Sequence, residues 1–483
     1  MAGKPGASCR RQGERRLTSP TDSLAIGDAP PTRGGERTPF ARTALTILLI
    51  VYILNFMDRW VITILLQPIK EELLLTDWQL GLLNGFAFSL LSSVAAIKLA
   101  RMAEVRNRVR ILTACILFWS VLTVLCGFVT SFWQLILARM GVGIGEAGGM
   151  PASHSLLADY FPPERRALAH SIYGLGLPIG GMLGMMLGGV LVDLAGWRSA
   201  FIVVGLPGLL VALLVRFFLR EPPRGRHDPP AGTTEAPPLL EVAAGLWRRR
   251  TTRHILIGLT LAVMLGNTGT SFLAPYLIRR FGLSYSQVAL LVAATNFLTA
   301  AIGMLAGGFL TDRLGRRNLR WYMWIPVCGI LTAIPFNLAA YLQSGVLAMA
   351  LFLIPAGLVI PTYMAPSFAT LHNLSQPRSR ATVTAIAGIC MGMIGAGLGP
   401  LLGGISIDLV SEHLFSAAGF SGFAASCPGG LPGPDTMPAI AAMCAPMLAR
   451  ATQVSLLLWV PTMVWPAFHF WLASRSIRSD TPA

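Results

Sequence analysis

The chain has 483 residues, of which 54% are hydrophobic and only 12% charged, and its mean hydropathy is +0.62. That is more apolar surface than one soluble core of this length buries, which excludes an ordinary water-soluble enzyme or binding domain. The net charge of +16 would suggest nucleic acid in a soluble protein. Here the arginines alternate with apolar stretches and read as marks of membrane topology, with no nucleic-acid partner.

Residues 1–40 are polar, rich in Arg, Gly and Pro, and lack a short apolar run ending in a cleavage site, so they are expected to form a disordered basic cytoplasmic tail. From Thr43 to Trp471, stretches near the roughly 20 apolar residues that a membrane crossing needs follow one another with short interruptions. Their number, about twelve, predicts an all-α integral membrane protein.

Arginines gather before the first span (Arg33, Arg37, Arg42), after the second (Arg101, Arg106, Arg108, Arg110), after the fourth (Arg165, Arg166) and around the middle loop (Arg220, Arg224, Arg226, Arg248, Arg249, Arg250). The second half repeats this with Arg313, Arg316, Arg317 and Arg320, then Arg378 and Arg380, then Arg475 and Arg478. The opposite loops carry Glu71, Glu72, Asp77, Asp193 and Asp408, with Lys70, Arg198, Arg279, Arg280 and Arg450 as exceptions. Both termini are therefore expected in the cytoplasm. Lysine occurs only at Lys4, Lys70 and Lys98 among abundant Ala, Gly and Arg, which points to a bacterial inner (plasma) membrane.

The apolar pattern breaks most clearly in the Pro-rich and Arg-rich middle. The expected organisation is an N-terminal six-helix bundle at 41–220, a cytoplasmic linker at 221–252, a C-terminal six-helix bundle at 253–475 with an external loop at 411–450, and a cytoplasmic tail at 476–483. An internal repeat supports the two halves. Gly180, Gly184, Gly188, Gly189 and Asp193 keep the spacing of Gly395, Gly399, Gly403, Gly404 and Asp408 at an offset of 215, as do Pro162 and Arg165 with Pro377 and Arg380. Ala100, Met102, Glu104 and Arg108 correspond to Gly308, Leu310, Asp312 and Arg316 at an offset of 208. Parallel halves about an axis along the membrane normal are the arrangement of a rocking transporter with its substrate path between them. In the external loop Cys427 and Cys444 have a disulfide open to them, given an oxidising compartment.

Asp58 and Arg59 fall near the middle of the first span, Arg139 and Glu146 within the fourth. Each unpaired charge at the bilayer centre costs about 3 kcal/mol, so the four must pair or line water. Arg139 and Glu146 are seven residues apart, two turns on nearly one helix face, and one polar cavity can hold all four. A carboxylate there, pulled one way by desolvation and the other by arginine, can load and release a proton. A permanent structural ion-pair network is the competing account.

The second half offers its spans almost no charge, but Asn267, Thr270, Tyr276 and Asn296 stand among Met, Phe and Leu. With Asn55 they are the candidate substrate-cavity residues: one polar wall and one apolar wall suit an amphiphile.

The run from Gly308 through Asp312, Arg313 and Gly315 to Arg316 and Arg317 resembles the loop signature of the major facilitator superfamily. That resemblance implies two pseudosymmetric six-helix bundles. Physically, Gly308 is expected to permit close helix approach, while Asp312, Arg313 and Arg316 form a conformational latch with Glu104 and Arg108 of the first-half copy. The first copy departs from the pattern, with Ala100 for Gly, Glu104 for Asp and Val105 for Arg.

Asn55 with Asp58 and Arg59, Gly143 with Gly145 and Glu146, Pro151, Phe161 with Pro162, and Gly196 with Trp197, Arg198 and Phe201 resemble the spinster-type branch. The branch implies transport of lysolipids or sphingoid-type lipids, with the acidic residues matched by Asp58 and Glu146 in proton coupling. The expected partners are the lipid bilayer, an amphiphilic small molecule and protons, and a monomer is expected. Walker-type, Cys-x-x-Cys and HExxH patterns are not found, so no cofactor, metal or enzymatic role is expected. A proton-coupled exporter of drugs or metabolites is the alternative, supported by the glycine run from Gly395 to Gly404, which resembles an antiporter signature; a non-transporting receptor or scaffold is a minor one.

Overall fold

The computed structural model describes residues 39–226, 238–376, 379–434 and 436–480. Among the described residues ten helical stretches are long and apolar enough to cross a membrane. One of them, Leu168–Phe218, is broken by Gly196, whose φ of 77° takes the backbone out of the helix and leaves two crossings in that stretch. A further crossing is made by Phe132–Glu146 and Gly149–Tyr160 together. The crossings are thus twelve, six on each side of the middle segment, and among the described residues no strand is found. They are the first to sixth spans, at 39–73, 77–105, 108–126, 132–160, 163–195 and 197–218, and the seventh to twelfth, at 250–281, 285–315, 321–342, 346–373, 380–417 and 438–480.

An even number of crossings puts residues 39 and 480 on one face, the terminal face; the other is the distal face. The middle segment is not featureless, because Leu239–Arg248 forms a helix that exposes Leu239, Leu240 and Trp247. Three boundaries read from sequence shift. The eleventh span runs to Ala417 and the twelfth begins at Pro438, so the loop placed at 411–450 shrinks to 418–437. The seventh span starts at Arg250, inside the expected linker. The expected tail at 476–483 remains helical through Asp480. Most of the amino-terminal tail, Pro377 of the repeat and the loop residue Arg378 lie outside the described residues.

Small residues set how the halves meet. A Cβ at Gly184 would stand 2.4 Å from the Met57 carbonyl oxygen and one at Gly399 2.3 Å from that of Met264, so the fifth span packs on the first as the eleventh packs on the seventh. Across the bundle interface, Gly81 lies against the Pro400 backbone and Gly189 against the carbonyl of Tyr285. These cross-bundle contacts are all toward the distal face. Nearer the terminal face Val94, Ile97 and Ile394 are exposed, and Gly174 and Gly388 have no neighbour within 4 Å of an added Cβ. The bundles close on the distal side and part on the terminal side.

Candidate functional site

The first and fourth spans bring the four mid-span charges together inside the amino-terminal bundle. Arg139 Nη1 donates to Asp58 Oδ2 at 3.2 Å, and Thr123 Oγ1 of the third span donates to Asp58 Oδ1 at 3.0 Å. Arg59 donates through Nε and Nη2 to Glu146 Oε2, at 3.2 and 3.0 Å. The phenyl ring of Phe88 lies against both guanidiniums, with Arg59 Cζ 4.9 Å and Arg139 Cζ 5.6 Å from its centre. Gly143 makes room for it: a Cβ there would stand 2.9 Å from the Phe88 carbonyl oxygen.

The two pairs are not equivalent. Asp58 and Arg139 are both buried, and Glu146 is fully buried, but the Arg59 side chain is 39% exposed. Glu146 Oε1 and Arg139 Nε are buried without a hydrogen-bond partner. One carboxylate is therefore held from the inside, the other through an arginine that reaches open space.

Between the bundles lies a cavity of about 280 Å³, lined by none of the four charged residues. Trp60 and Leu177 face it from the amino-terminal half, and Thr270, Asn296, Asn337 and Tyr341 from the carboxy-terminal half. Asn296 Nδ2 has no partner, whereas Thr270 Oγ1 and Asn337 Nδ2 bond back to their own helix at 2.9 Å. The remaining cavity candidates do not line it. Asn55 is buried within its own bundle, Asn267 Nδ2 donates to the Val263 carbonyl at 2.9 Å, and Tyr276 is fully buried, its hydroxyl donating to the Tyr341 carbonyl at 3.4 Å. Among the described residues no group of three His, Cys, Asp or Glu side chains is placed to hold a metal ion.

Asp312, Arg313 and Arg316 are exposed on the terminal face and form no ion pair among the described residues; the side chain of Glu104 lies outside them. Two expectations for this cluster need correction. Arg108 is not a loop cation: it is 1% exposed and inserted between Asp159 (2.5 Å) and Glu221 (2.7 Å), tying the third and fourth spans to the segment that follows the sixth. Gly308 is not where helices approach most closely, since a Cβ there meets only Ala365 Cβ at 3.8 Å. That role falls one and five residues earlier, at Gly307 and Gly303, where an added Cβ would stand 2.7 Å from Thr362 Cα and 2.0 Å from the Leu358 carbonyl oxygen.

The distal face carries a second polar cluster that sequence reasoning missed. Asp77 is fully buried between Lys70 Nζ (2.8 Å) of its own bundle and Arg279 Nη2 (2.6 Å) of the other, while Arg279 also donates to Gln67 Oε1 at 2.7 Å and Thr452 Oγ1 at 2.9 Å. Asp408 accepts from the backbone N–H groups of Asp77 (3.0 Å) and Trp78 (2.8 Å), and Asp193 from those of Tyr285 (3.1 Å) and Ser286 (2.9 Å). The signal was present: Lys70, Arg198, Arg279 and Arg450 break the charge pattern of the loops because each is engaged, Arg198 with Glu72 and Arg450 with Gln453 at 2.6 Å.

Twelve crossings in two repeated halves, a cavity between them, and closure on one side only make an alternating-access architecture. The family model described as "Major Facilitator Superfamily" matches residues 48–400. This chain belongs to the Major Facilitator Superfamily. Its relatives within the superfamily include spinster-type proteins. The chain is 27% identical over 405 residues to "Sphingosine-1-phosphate transporter SPNS2" of Danio rerio, covering 78% of this chain and 77% of that one. It is 31% identical over 398 residues to an "MFS-type efflux pump" of Mycolicibacterium smegmatis, covering 82% and 90%. Among solved structures, a bacterial homolog to the human lysosomal transporter Spinster, in an inward-facing and unoccupied conformation, superposes with a TM-score of 0.86 at 32% identity, covering 92% of this chain and 99% of that one. As a spinster-type member of the superfamily, the chain is a multi-pass membrane transporter of a small molecule and not an enzyme.

Proposed function

We propose that this transporter moves an amphiphilic small molecule, a lysolipid or sphingoid-type lipid, by alternating access coupled to protons carried at Asp58 and Glu146. The observation that carries the reading is the unequal pairing of the two carboxylates. Glu146 is buried, has one oxygen without a hydrogen-bond partner, and forms its direct ion pair with Arg59, which reaches the open side. An unpaired buried carboxylate is disfavoured, so any movement of Arg59 toward solvent or substrate must be balanced by a proton on Glu146. Asp58, locked to Arg139 and Thr123, is the less mobile partner and holds the frame.

The cavity supports the substrate class. Apart from a few amides and hydroxyls its walls are large apolar side chains (Leu, Phe, Trp, Met, Ile) with small residues such as Gly and Ala between them, and about 280 Å³ gives room for one end of a chain-bearing molecule. Arginine placement supports a cytoplasmic terminal face and, with the distal side closed, an inward-open state. Exposed, unpaired Asp312, Arg313 and Arg316 fit a latch released in that state.

The test is reconstituted transport across a panel of lysolipids and sphingoid bases, with and without an imposed pH gradient. Gradient-driven flux is expected to fall at least tenfold in Glu146→Gln and in Asp58→Asn; retention of gradient-driven flux in both overturns the coupling. A second reading, export of drugs or other metabolites, is favoured by the likeness to the "MFS-type efflux pump". Competition separates the two: in the lipid reading a lysolipid blocks its own flux and a cationic dye does not.

A further inference from the structure

On the terminal face the ends of the seventh and twelfth spans enclose a basic pocket that the transport path does not use. It is lined by Arg250, Arg253, His254, Arg475, Ser476 and Ser479, with Leu472 as its apolar edge. Three guanidiniums from two helices thus converge on one concavity, and its lining contains no carboxylate.

The nearest acid is committed elsewhere. Asp480 Oδ2 accepts the backbone N–H of Thr251 at 2.9 Å and so caps the start of the seventh span. Ser476 Oγ shares a hydrogen bond with Thr251 Oγ1 at 2.8 Å, which fixes one wall. His254 Nδ1 lies 3.0 Å from His469 Nδ1, so a single proton joins the two rings and their mutual geometry is set. Arg475 rests on the Trp471 ring at 4.9 Å, an aromatic at the depth where indoles sit at a membrane surface. The walls are held by hydrogen bonds, and Arg250, Arg253 and Arg475 form no ion pair among the described residues that would balance the charge at the mouth.

The surroundings decide what supplies that balance. Below the pocket the twelfth span exposes Val464, Trp465 and Phe468. A ligand here meets guanidiniums and hydroxyls at one end and apolar surface at the other. Arginine forks and serine hydroxyls match phosphate oxygens, and a lipid phosphate is the anion present at this depth at high local concentration. We propose that this pocket binds the phosphate-bearing headgroup of an anionic phospholipid, whose acyl chains lie along the twelfth span.

Native mass spectrometry of the full chain released from detergent tests this, with added phosphatidylglycerol or phosphatidylcholine of matched acyl chains. Phosphatidylglycerol adducts are expected to persist on the wild type and to fall at least fivefold in Arg253→Gln/Arg475→Gln. Arg253→Lys/Arg475→Lys, which keeps the charge, is expected to retain a measurable part. The control is Arg317→Gln/Arg320→Gln, which removes two exposed arginines of another terminal-face loop and is expected to leave adducts unchanged; melting curves of the detergent-solubilised variants confirm that all remain folded. Equal loss in both glutamine pairs overturns the site in favour of diffuse surface attraction. So does undiminished binding in the pocket pair. Protection of the pocket by inorganic phosphate, with no preference for phosphatidylglycerol over phosphatidylcholine, overturns the lipid as the source of the anion.

Discussion

Asp193 and Asp408 occupy equivalent positions in the two halves, and each accepts two backbone N–H groups at the first turn of a helix in the other half. The helices they cap, beginning at Tyr285 and Asp77, are themselves equivalent in the repeat. A carboxylate at a helix N-terminus satisfies donors that have no partner in the helix and meets the positive end of its dipole. The distal closure is therefore two copies of one contact, related by the pseudosymmetry of the fold.

Removing either charge should loosen that closure without disturbing either bundle. Hydrogen bonds to a charged acceptor contribute about 1.5–3 kcal/mol, so Asp408→Asn or Asp193→Asn is expected to shift the balance toward distal-open states by tenfold or more. Maleimide labelling of a cysteine placed at Trp78 reads this directly, with faster labelling in either variant and the fastest in the double variant. Unchanged labelling would show that the closure rests on packing alone.

Asp77 is the more severe case. It is fully buried between two cations, and its loss leaves Lys70 and Arg279 facing each other without a counter-charge. Breaking a buried ion pair by removing one partner costs about 3–5 kcal/mol. Asp77→Asn is expected to lower the melting temperature in detergent by several degrees, and adding Lys70→Met to restore most of it. Failure of the second change to rescue would mean that Arg279, not Lys70, carries the penalty.

Glycine in the eighth span separates sequence signature from steric need. Gly308 belongs to the recognisable loop signature, yet a methyl group there meets only one side chain, at 3.8 Å. Gly303 lies outside it and has a backbone oxygen 2.0 Å from where the methyl would be. Gly308→Ala is expected to leave melting unchanged or raise it slightly, since alanine favours helix by roughly 0.5–1 kcal/mol. Gly303→Ala is expected to lower melting clearly or abolish folded protein, measured by fluorescence-detected size-exclusion chromatography after heating.

How legible all this was in the sequence follows from which signals are local. The spans, the two halves and the four mid-membrane charges are legible because apolar run length and buried charge depend on neighbours in the chain. The pairing pattern was not, since Asp58 meets Arg139 rather than its neighbour Arg59 only once the first and fourth spans cross. Arg108 looked like a loop cation because its two partners, Asp159 and Glu221, are 51 and 113 residues away. Tyr276 looked available for substrate because periodicity gives a face but not which neighbour covers it; the Tyr341 ring does, at 5.9 Å.

The loop between the last two spans is closed by a Cys427–Cys444 disulfide and lies over the distal cluster. Gly429 and Gly430, with φ of 67° and 86°, fold the segment so that Gly429 abuts the Lys70 carbonyl and Leu74, and Gly430 abuts Leu448. Glu412 fixes its start by accepting from the N–H groups of Gly422 (2.8 Å) and Phe423 (2.7 Å). A segment of the carboxy-terminal half is thus pinned against the first span beside Lys70, so it resists separation of the bundles at this face. Cross-linking a loop of this length contributes about 3 kcal/mol in the chain-entropy model. Cys427→Ser/Cys444→Ser, or reduction of the wild type by dithiothreitol, is expected to lower the melting temperature and to accelerate maleimide labelling of a cysteine introduced at Trp78. Both effects should be absent when reductant is added to the double serine variant. If reduction changed melting but left labelling untouched, the loop would stabilise its own half and have no part in holding the distal side closed.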